Sequence, residues 1–318
     1  MSATIYTHGI HHITAISGSA RENYRFYTEM LGLRLVKKTV NFDDPGTYHL
    51  YYGNADGTPG TIMTFFPWEN MPAGRVGNGQ VAAVAFAVAA DSKSFWQRRL
   101  ETGGIHFTET NRFGESVLGF ADPHGLPLEL IFAQGLPQPA PWSTGSIPRQ
   151  HAVRGFHSAT ARLHTAEKTA EMVTEVLGLE PVGTENGRTR FRTRHENGPG
   201  TVFDIVEDRN GVAGRSGVGT VHHIAFRAAD DREQRHWQQK VTGFGLDVTR
   251  LIDRNYFHSI YFRDTGGVLF EMATDPPGFT IDEDLPDLGS GLMLPPQYEA
   301  MRGQLEERLP PLETDGEA

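Results

Sequence analysis

The chain has 318 residues, of which 38% are hydrophobic and 21% charged, and this length and composition allow two globular domains of ordinary size. It contains no cysteine, which excludes disulfides, thiolate metal sites and a cysteine nucleophile. Its formal net charge of −10, with no offsetting basic cluster, argues against nucleic-acid binding. No apolar run approaches the ~18 residues of a membrane helix, and the N-terminus lacks the pattern of a signal peptide. We therefore expect a cytoplasmic protein without a membrane or nucleic-acid partner, and the oligomeric state stays open.

Four segments along the chain carry helix signals. The first, 19–31, opens with Ser19 and Glu22 at the spacing of a capping box and is followed by Gly32. Apolar residues at helical spacing before a glycine recur at 91–100, 165–177 and 230–241. Between these segments lie β-branched and aromatic runs, bounded by glycine-rich turns, which predict strands at places such as 47–52 and 258–262.

The second half of the chain repeats the first. Four stretches recur at nearly the same spacing: 57–64 as 197–204, 31–36 as 177–182, 84–88 as 224–228, and 120–131 as 262–273. Each half divides again into two units of one strand, one helix and three further strands. The sequence thus predicts an α+β fold of four βαβββ modules.

The same comparison predicts where the chain divides. We expect a first domain at 1–133, a proline-rich linker at 134–150, a second domain at 151–275 and a tail at 276–318. A short helix is predicted in the tail at 297–308. The acidic run 282–284 is predicted to be solvated surface.

Two histidine doublets and one glutamate suggest a metal centre. His11-His12 opens a strand of module one, His222-His223 opens the first strand of module four, and Glu271 lies on the last strand of module four. Two imidazoles and one carboxylate form the ligand set that a non-haem Fe(II) uses when it keeps positions open for substrate and dioxygen.

The chain resembles the vicinal-oxygen-chelate superfamily, and within it the hydroquinone-type ring-cleaving dioxygenases. The resemblance covers nearly the whole chain and rests on the motifs HHIT at 11–14, YHLY at 48–51, GTPG at 57–60, RGFH at 154–157, HH at 222–223, GGVLFE at 266–271 and GFTIDED at 278–284. It implies paired modules that curl into cup-shaped mixed sheets, forming two vicinal-oxygen-chelate domains around one iron, with a small aromatic diol and O₂ as substrates.

The resemblance also assigns residues. It implies that His12, His223 and Glu271 bind Fe(II), so that modules one and four would build the metal cup together. It further implies that five residues surround the substrate: His11, Thr14, His222, Arg254 and Tyr261. His11 or His222 would accept a proton from the substrate. Adjacent strand residues point to opposite faces, so each doublet can face one metal only if the backbone bulges or another element curls round.

Three metal ligands are expected rather than four. Alignment of the modules puts Thr64 where module four has Glu271. A glyoxalase-like isomerase of the superfamily needs a fourth protein ligand there, and a threonine hydroxyl is a poor one. A non-catalytic binder, as in the bleomycin-resistance members, is a second alternative, but those are generally chains of two modules.

Modules two and three look like a degenerate copy of the site. His157 is predicted at the position of His12 and Glu129 at that of Glu271, whereas Ala82-Ala83 replaces the second doublet. We expect His157 and Glu129 to be structural or to pair with each other, and Asp204 not to complete a second metal site. A catechol extradiol dioxygenase with His157, His223 and Glu271 as ligands remains an alternative.

Several candidate residues have structural interpretations as well. Arg254 could form an ion pair with Asp253, and Tyr261 could belong to the core. His49 and His258 are candidates for the pocket wall, and an aromatic wall could include Phe65, Phe66 and Trp68. The ring substituents of the substrate and the metal held after purification stay open.

Overall fold

The structure is a computed structural model that describes residues 5–135, 141–143, 146–194 and 198–312. This part of the chain contains sixteen β-strands and five α-helices. None of its helices has the length and apolar character needed to cross a membrane.

The strands form two mixed sheets of eight strands each, as the family resemblance implies. The strands of the first sheet are β1 (Ile10–Ser17), β2 (Arg34–Val40), β3 (Tyr48–Gly53), β4 (Ile62–Pro67), β13 (Thr220–Ala228), β14 (Ile252–Asp253), β15 (Phe257–Arg263) and β16 (Leu269–Pro277). Those of the second sheet are β5 (Gln80–Ala89), β6 (Thr108–Arg112), β7 (Glu115–Ala121), β8 (Pro127–Ala133), β9 (Phe156–Leu163), β10 (Glu180–Glu185), β11 (Arg188–Arg192) and β12 (Val202–Glu207). The first sheet has the strand order β14-β15-β16-β13-β1-β4-β3-β2 and the second the order β10-β11-β12-β9-β5-β8-β7-β6.

Each sheet joins one module from either half of the chain. Modules one and four build the first sheet through the antiparallel pair β1 and β13, and modules two and three build the second through β5 and β9. The expected pairing of the two ends of the chain is therefore confirmed. The division into 1–133 and 151–275 remains a prediction about sequence organisation, since both sheets draw strands from both ranges.

The helices follow the predicted segments closely. They are α1 (Ala20–Arg25), α2 (Lys93–Thr102), α3 (Glu167–Glu175), α4 (Asp231–Gly243) and α5 (Arg302–Arg308). The predicted first helix continues from α1 as a π-helix at Phe26–Met30, and Ser19 caps α1 by accepting a hydrogen bond from the Glu22 amide. Buried side chains at helical spacing, such as Trp237 and Val241 in α4, face the sheet.

The connection and the tail are only partly described. Pro137 and Pro139 of the predicted linker lie outside the described residues, and the described parts of 134–150 contain neither helix nor strand. The predicted tail helix is observed as a 3₁₀ turn at Pro296–Met301 followed by α5.

The acidic run in the tail is not merely solvated, so that expectation is wrong. Fully buried Lys37 on β2 places its Nζ 2.5 Å from both Asp282 Oδ1 and Glu283 Oε2. A buried ammonium needs such partners, because without them it would lose its solvation uncompensated. The tail therefore folds back against the first sheet.

A β-bulge lies at each histidine doublet. In the antiparallel pairing of β1 with β13, the extra residues between successive partners are His11 and His222. The second sheet carries its own pair of bulges, with Ala82 and His157 as the extra residues. Each bulge adds one residue to its strand, and this changes the direction in which the neighbouring side chain points. The bulges thereby remove the conflict between two adjacent histidines at one site and the alternation of side chains along a strand.

Candidate metal centre and cavity

Three side chains from the first sheet converge on one point. His12 (β1), His223 (β13) and Glu271 (β16) are all buried, with at most 5% of each residue exposed. His12 Nε2 lies 3.4 Å from His223 Nε2 and 3.3 Å from Glu271 Oε2, and His223 Nε2 lies 2.8 Å from the same carboxylate oxygen. Within the described ranges this is the one group of His and acidic residues whose ligand atoms lie close enough to share a metal ion.

The ligand atoms fit a divalent metal. Ligands on adjacent corners of an octahedron with bonds of about 2.1 Å lie about 3.0 Å apart, close to the distances here. Glu271 Oε2 is buried and accepts no hydrogen bond, although both imidazole nitrogens are near it. A buried carboxylate oxygen without a donor is costly unless a cation completes it. The second oxygen, Oε1, accepts a hydrogen bond from Ser259 Oγ.

In each doublet the first histidine, here called the outer one, lies within hydrogen-bond distance of the second, here called the inner one. His11 Nδ1 lies 2.9 Å from His12 Nδ1, and His222 Nδ1 lies 2.8 Å from His223 Nδ1. Both inner rings are thereby oriented with Nε2 toward the convergence point. His11 is buried and is not among the residues that line the cavity, whereas His222 is exposed at its rim.

A cavity of about 260 Å³ is lined by two of the three converging side chains, His12 and His223. Arg254 and Tyr261 line it, and Arg254 Nε donates to the Tyr261 hydroxyl at 3.3 Å. The Arg254 guanidinium also lies 3.5 Å from the Asp43 carboxylate. Its acidic neighbour is therefore Asp43, and the ion pair with Asp253 that the sequence left open is not observed. The remaining lining residues are His12, Asn41, Phe42, Asp43, Asp44, His49, Tyr51, Phe66, Trp68, His222, His223 and Phe257.

Thr14 lies next to the cavity but is not in its wall. Its hydroxyl is 2.9 Å from that of Thr64, which is in turn 2.8 Å from His49 Nε2. Thr64 occupies the position in module one that Glu271 occupies in module four, as predicted. Because its hydroxyl is engaged by two neighbours, Thr64 adds no fourth ligand to the candidate metal site.

Burial and charge set the protonation of the centre. Burial would raise the pKa of Glu271, but His12 and His223 outweigh it and hold that pKa well below its usual range. Burial lowers the pKa of His223. Burial, reinforced by the nearby Glu271 carboxylate, raises the pKa of Tyr261. Neutral imidazoles and an ionised carboxylate are the forms that bind a metal.

Several residues of the site were not predicted, among them Phe257 in the cavity wall and Ser259 beside Glu271. Phe257 packs against both His11 and His12, with ring centroids 5.2 and 4.8 Å apart, and Ser259 holds Glu271. Strand alternation could have found both, since they share a face of β15 with Tyr261. The loop 41–44 carries no such sequence signal.

Some of the further candidates for the cavity wall line the cavity and others do not. His49, Phe66 and Trp68 line the cavity, whereas Phe65 is buried in the hydrophobic core. His258 does not line it, because its Nδ1 lies 2.6 Å from Asp231 Oδ1.

The second sheet shows what replaces the triad. Its register aligns His157 with His11, and Ser158 with His12, so the prediction that His157 occupies the position of His12 is wrong. The prediction was displaced by one residue because nothing in the sequence indicated the bulge. The catechol-type ligand set that includes His157 is also wrong, since His157 lies in the other sheet and contacts Glu115 at 2.9 Å.

The two acidic residues of the degenerate copy are taken by arginines. Glu129, at the position of Glu271, forms a bidentate pair with Arg112 rather than with His157. Fully buried Asp204, at the position of Thr64, pairs with Arg190 and Arg188. These positions are therefore structural, as expected, although with different partners.

Comparison with known proteins agrees with this architecture. Residues 9–130 and 155–272 match the model of the Glyoxalase/Bleomycin resistance protein/Dioxygenase superfamily. The chain is 48% identical over 307 residues to the Bacillus subtilis protein named "Putative ring-cleaving dioxygenase MhqO", covering 96% of this chain and 97% of that one. It is 37% identical to the "Chlorohydroquinone/hydroquinone 1,2-dioxygenase" of Sphingobium indicum, covering 93% and 94%. A crystal structure described as a "putative dioxygenase" from Bacillus subtilis superposes with a TM-score of 0.94 at 47% identity, covering 98% and 99%. The chain belongs to the glyoxalase, bleomycin-resistance and dioxygenase superfamily.

Proposed function

We propose that the protein is an Fe(II)-dependent dioxygenase that cleaves the ring of a hydroquinone. One observation carries the proposal: two imidazoles and one carboxylate converge, and both imidazoles line a cavity whose wall also contains aromatic side chains and Arg254. The name of the Sphingobium relative supports the substrate class. A non-haem Fe(II) with three protein ligands keeps positions open for two further ligands. Bound Fe(II) supplies the Lewis acidity and the redox chemistry that reaction with dioxygen requires.

His12, His223 and Glu271 would hold the iron. The outer histidines would fix the tautomers of His12 and His223. A neutral histidine that binds a metal through Nε2 carries its proton on Nδ1. His12 and His223 would then donate to the Nδ1 atoms of His11 and His222, whose own protons would sit on Nε2. His222 would therefore offer an N–H to the cavity, and the predicted role of either outer histidine as a proton acceptor does not follow from this arrangement.

Arg254 and Tyr261 would bind and orient the substrate. The guanidinium is suited to an oxygen that gains negative charge during the reaction. Tyr261 accepts from Arg254, so its own hydroxyl proton is not used in that hydrogen bond. Its raised pKa keeps that proton in place at neutral pH. Phe257 and Phe66 would confine the ring.

Oxygen consumption tests the proposal. Protein loaded anaerobically with Fe(II) is expected to consume dioxygen with hydroquinones, with little uptake on catechols, and the His12→Ala variant is expected to be inactive. His157→Ala is the matched control and should retain activity, because that residue belongs to the second sheet.

Two results would contradict the proposal in different ways. Uptake with catechols alone would move the substrate to the extradiol class. Bound iron without uptake on any aromatic diol would refute ring cleavage of these substrates, leaving an isomerase or a binding protein of the same fold.

A further inference from the structure

Four polar side chains beside the metal centre form one chain of hydrogen bonds. It runs from Thr14 through Thr64 and His49 to Tyr51: the two threonine hydroxyls are 2.9 Å apart, Thr64 Oγ1 is 2.8 Å from His49 Nε2, and His49 Nδ1 is 2.8 Å from the Tyr51 hydroxyl. Both ring nitrogens of His49 are thus used within the chain. Only His49 and Tyr51 line the cavity.

The protons of this chain can be counted. Two threonine hydroxyls, one tyrosine hydroxyl and one neutral imidazole carry four protons, and three links consume three of them. The fourth proton must point out of the chain. It belongs to Thr14, to Thr64 or to Tyr51, and the direction of all three hydrogen bonds follows from which residue holds it.

The two ends differ in what surrounds them. Thr14 is fully buried, and among the described residues its hydroxyl has no hydrogen-bond partner other than Thr64. Thr64 is fully buried as well, and among the described residues its hydroxyl contacts only Thr14 and His49. An outward proton on either threonine would be an unsatisfied buried donor, which is costly. At the other end, Tyr51 lines the cavity. The outward proton therefore sits on Tyr51: Thr14 donates to Thr64, Thr64 to His49 Nε2, and His49 Nδ1 to the Tyr51 oxygen.

The Tyr51 ring is held firmly in this position. It packs edge-on against Phe279 of the tail and against Tyr256, with ring centroids 5.2 and 6.0 Å away. Burial raises the pKa of Tyr51, so the hydroxyl stays protonated. A fixed donor at a cavity wall loses little conformational entropy when a ligand accepts its hydrogen bond.

The second sheet has no equivalent donor. Arg190 and Arg188 stand in register at the positions of Tyr51 and His49, and both pair with Asp204 at the position of Thr64. Arg188 also donates to Thr160, the counterpart of Thr14. That network closes on itself, whereas the network of the first sheet ends on a free O–H in the cavity.

We propose that Tyr51 is a further substrate-binding residue, whose hydroxyl donates a hydrogen bond to an oxygen of the bound aromatic diol. The inference rests on the proposed function and deepens it. Thr14, Thr64 and His49 are positioning residues in this scheme, because they act only by orienting the Tyr51 proton. The predicted role of Thr14 at the substrate thereby becomes indirect.

Anaerobic calorimetry of hydroquinone binding to the Fe(II)-loaded protein tests the inference without turnover. Removal of one neutral hydrogen bond should weaken hydroquinone binding by about 5-fold to 10-fold in Tyr51→Phe. Thr64→Val, which breaks the chain at a distance, should weaken it by about 2-fold to 4-fold. The double variant should bind no more weakly than Tyr51→Phe alone, because Thr64 acts through the hydroxyl that is already missing.

Tyr52→Phe is the matched control. Tyr52 is the next residue of β3, is fully buried, and donates its hydroxyl to Asn23 away from the cavity. Its variant should bind hydroquinone as the wild type does. Unchanged affinity in Tyr51→Phe, or effects of Tyr51→Phe and Thr64→Val that multiply, would overturn the inference. Absence of hydroquinone binding by the wild type would instead refute the proposed function, and the inference with it.

Discussion

The two sheets of this protein are copies of one scaffold with opposite uses of the same positions. Both have eight strands in the same arrangement and bulges at the same places. In the first sheet three positions hold His12, His223 and Glu271; in the second, the corresponding residues are Ser158, Ala83 and Glu129. In the first sheet, Glu271 Oε2 has no hydrogen-bond donor. In the second sheet, Glu115, Glu129 and Asp204 are each paired with an arginine or a histidine.

The difference shows that a retained carboxylate does not define a metal site. Glu129 has the strand position of Glu271, yet Arg112 occupies both of its oxygens. In the first sheet the matching arginine, Arg254, is turned to Tyr261 instead. The partner of the carboxylate, rather than the carboxylate itself, separates the candidate metal centre from an ion-pair network.

The largest expected effect comes from the carboxylates at matching positions. Glu271→Gln should lose iron affinity by at least about 100-fold and lose dioxygen uptake with it, because a neutral amide is a poor ligand. Glu129→Gln should keep full iron content. Iron analysis after anaerobic dialysis measures both, and iron loss in the Glu129 variant would contradict the assignment of the two sheets.

A second contrast concerns the buried acid of the second sheet. Asp204→Ala leaves Arg190 buried without its charge partner, which should lower the free energy of unfolding by about 3–5 kcal/mol. Thr64→Val at the matching position of the first sheet should cost only about 1 kcal/mol, since it removes neutral hydrogen bonds. Denaturant unfolding measures both. Equal losses would show that the network of the second sheet is not a buried ion-pair system.

The helices, the strands and their fourfold repeat could be predicted from periodicity and from comparison of the chain with itself, whereas the family resemblance supplied the three candidate ligands. The sequence did not predict which doublet residue aligns with His157, since bulges depend on pairing between distant strands. Nor did it predict Tyr51 as part of the cavity, or the burial of Lys37 beneath the acidic tail, because each depends on segments far apart in the chain. Ser259 and Phe257 could have been predicted from the sequence, because both share a strand face with Tyr261.

Acid should act on the second sheet through Glu115. Burial would raise the pKa of this carboxyl, but His157 and Arg190 lower it to about 2. A folded-state pKa below the ordinary 4.5 stabilises the protein above pH 4.5, and this contribution is lost as the pH falls toward 2. After solvent screening it amounts to about 2 kcal/mol.

Comparison with a variant isolates that contribution. The difference in unfolding free energy between wild type and Glu115→Gln should be largest above pH 5 and should shrink steadily toward pH 2. A difference independent of pH would show that Glu115 is not held ionised by its neighbours. Phe257, its counterpart in the first sheet, offers no such titration.

A further contrast concerns the outer histidines. His11→Phe keeps an aromatic ring but removes the partner of His12 Nδ1, and loss of such a partner should weaken iron binding by about 10-fold to 100-fold. His157→Phe, at the matching position of the second sheet, should leave iron affinity unchanged. Competition with a chelator measures both constants. Equal iron affinity in wild type and His11→Phe would remove the proposed orienting role.

The stoichiometry of iron tests the central contrast most directly. Anaerobic titration with Fe(II) should saturate at one ion per chain in the wild type and in His157→Ala, and His223→Ala should bind none tightly. Dioxygen uptake with hydroquinone should follow the same order. Two tightly bound ions in the wild type, or iron retained by His223→Ala and lost by His157→Ala, would contradict the placement of the metal centre in the first sheet.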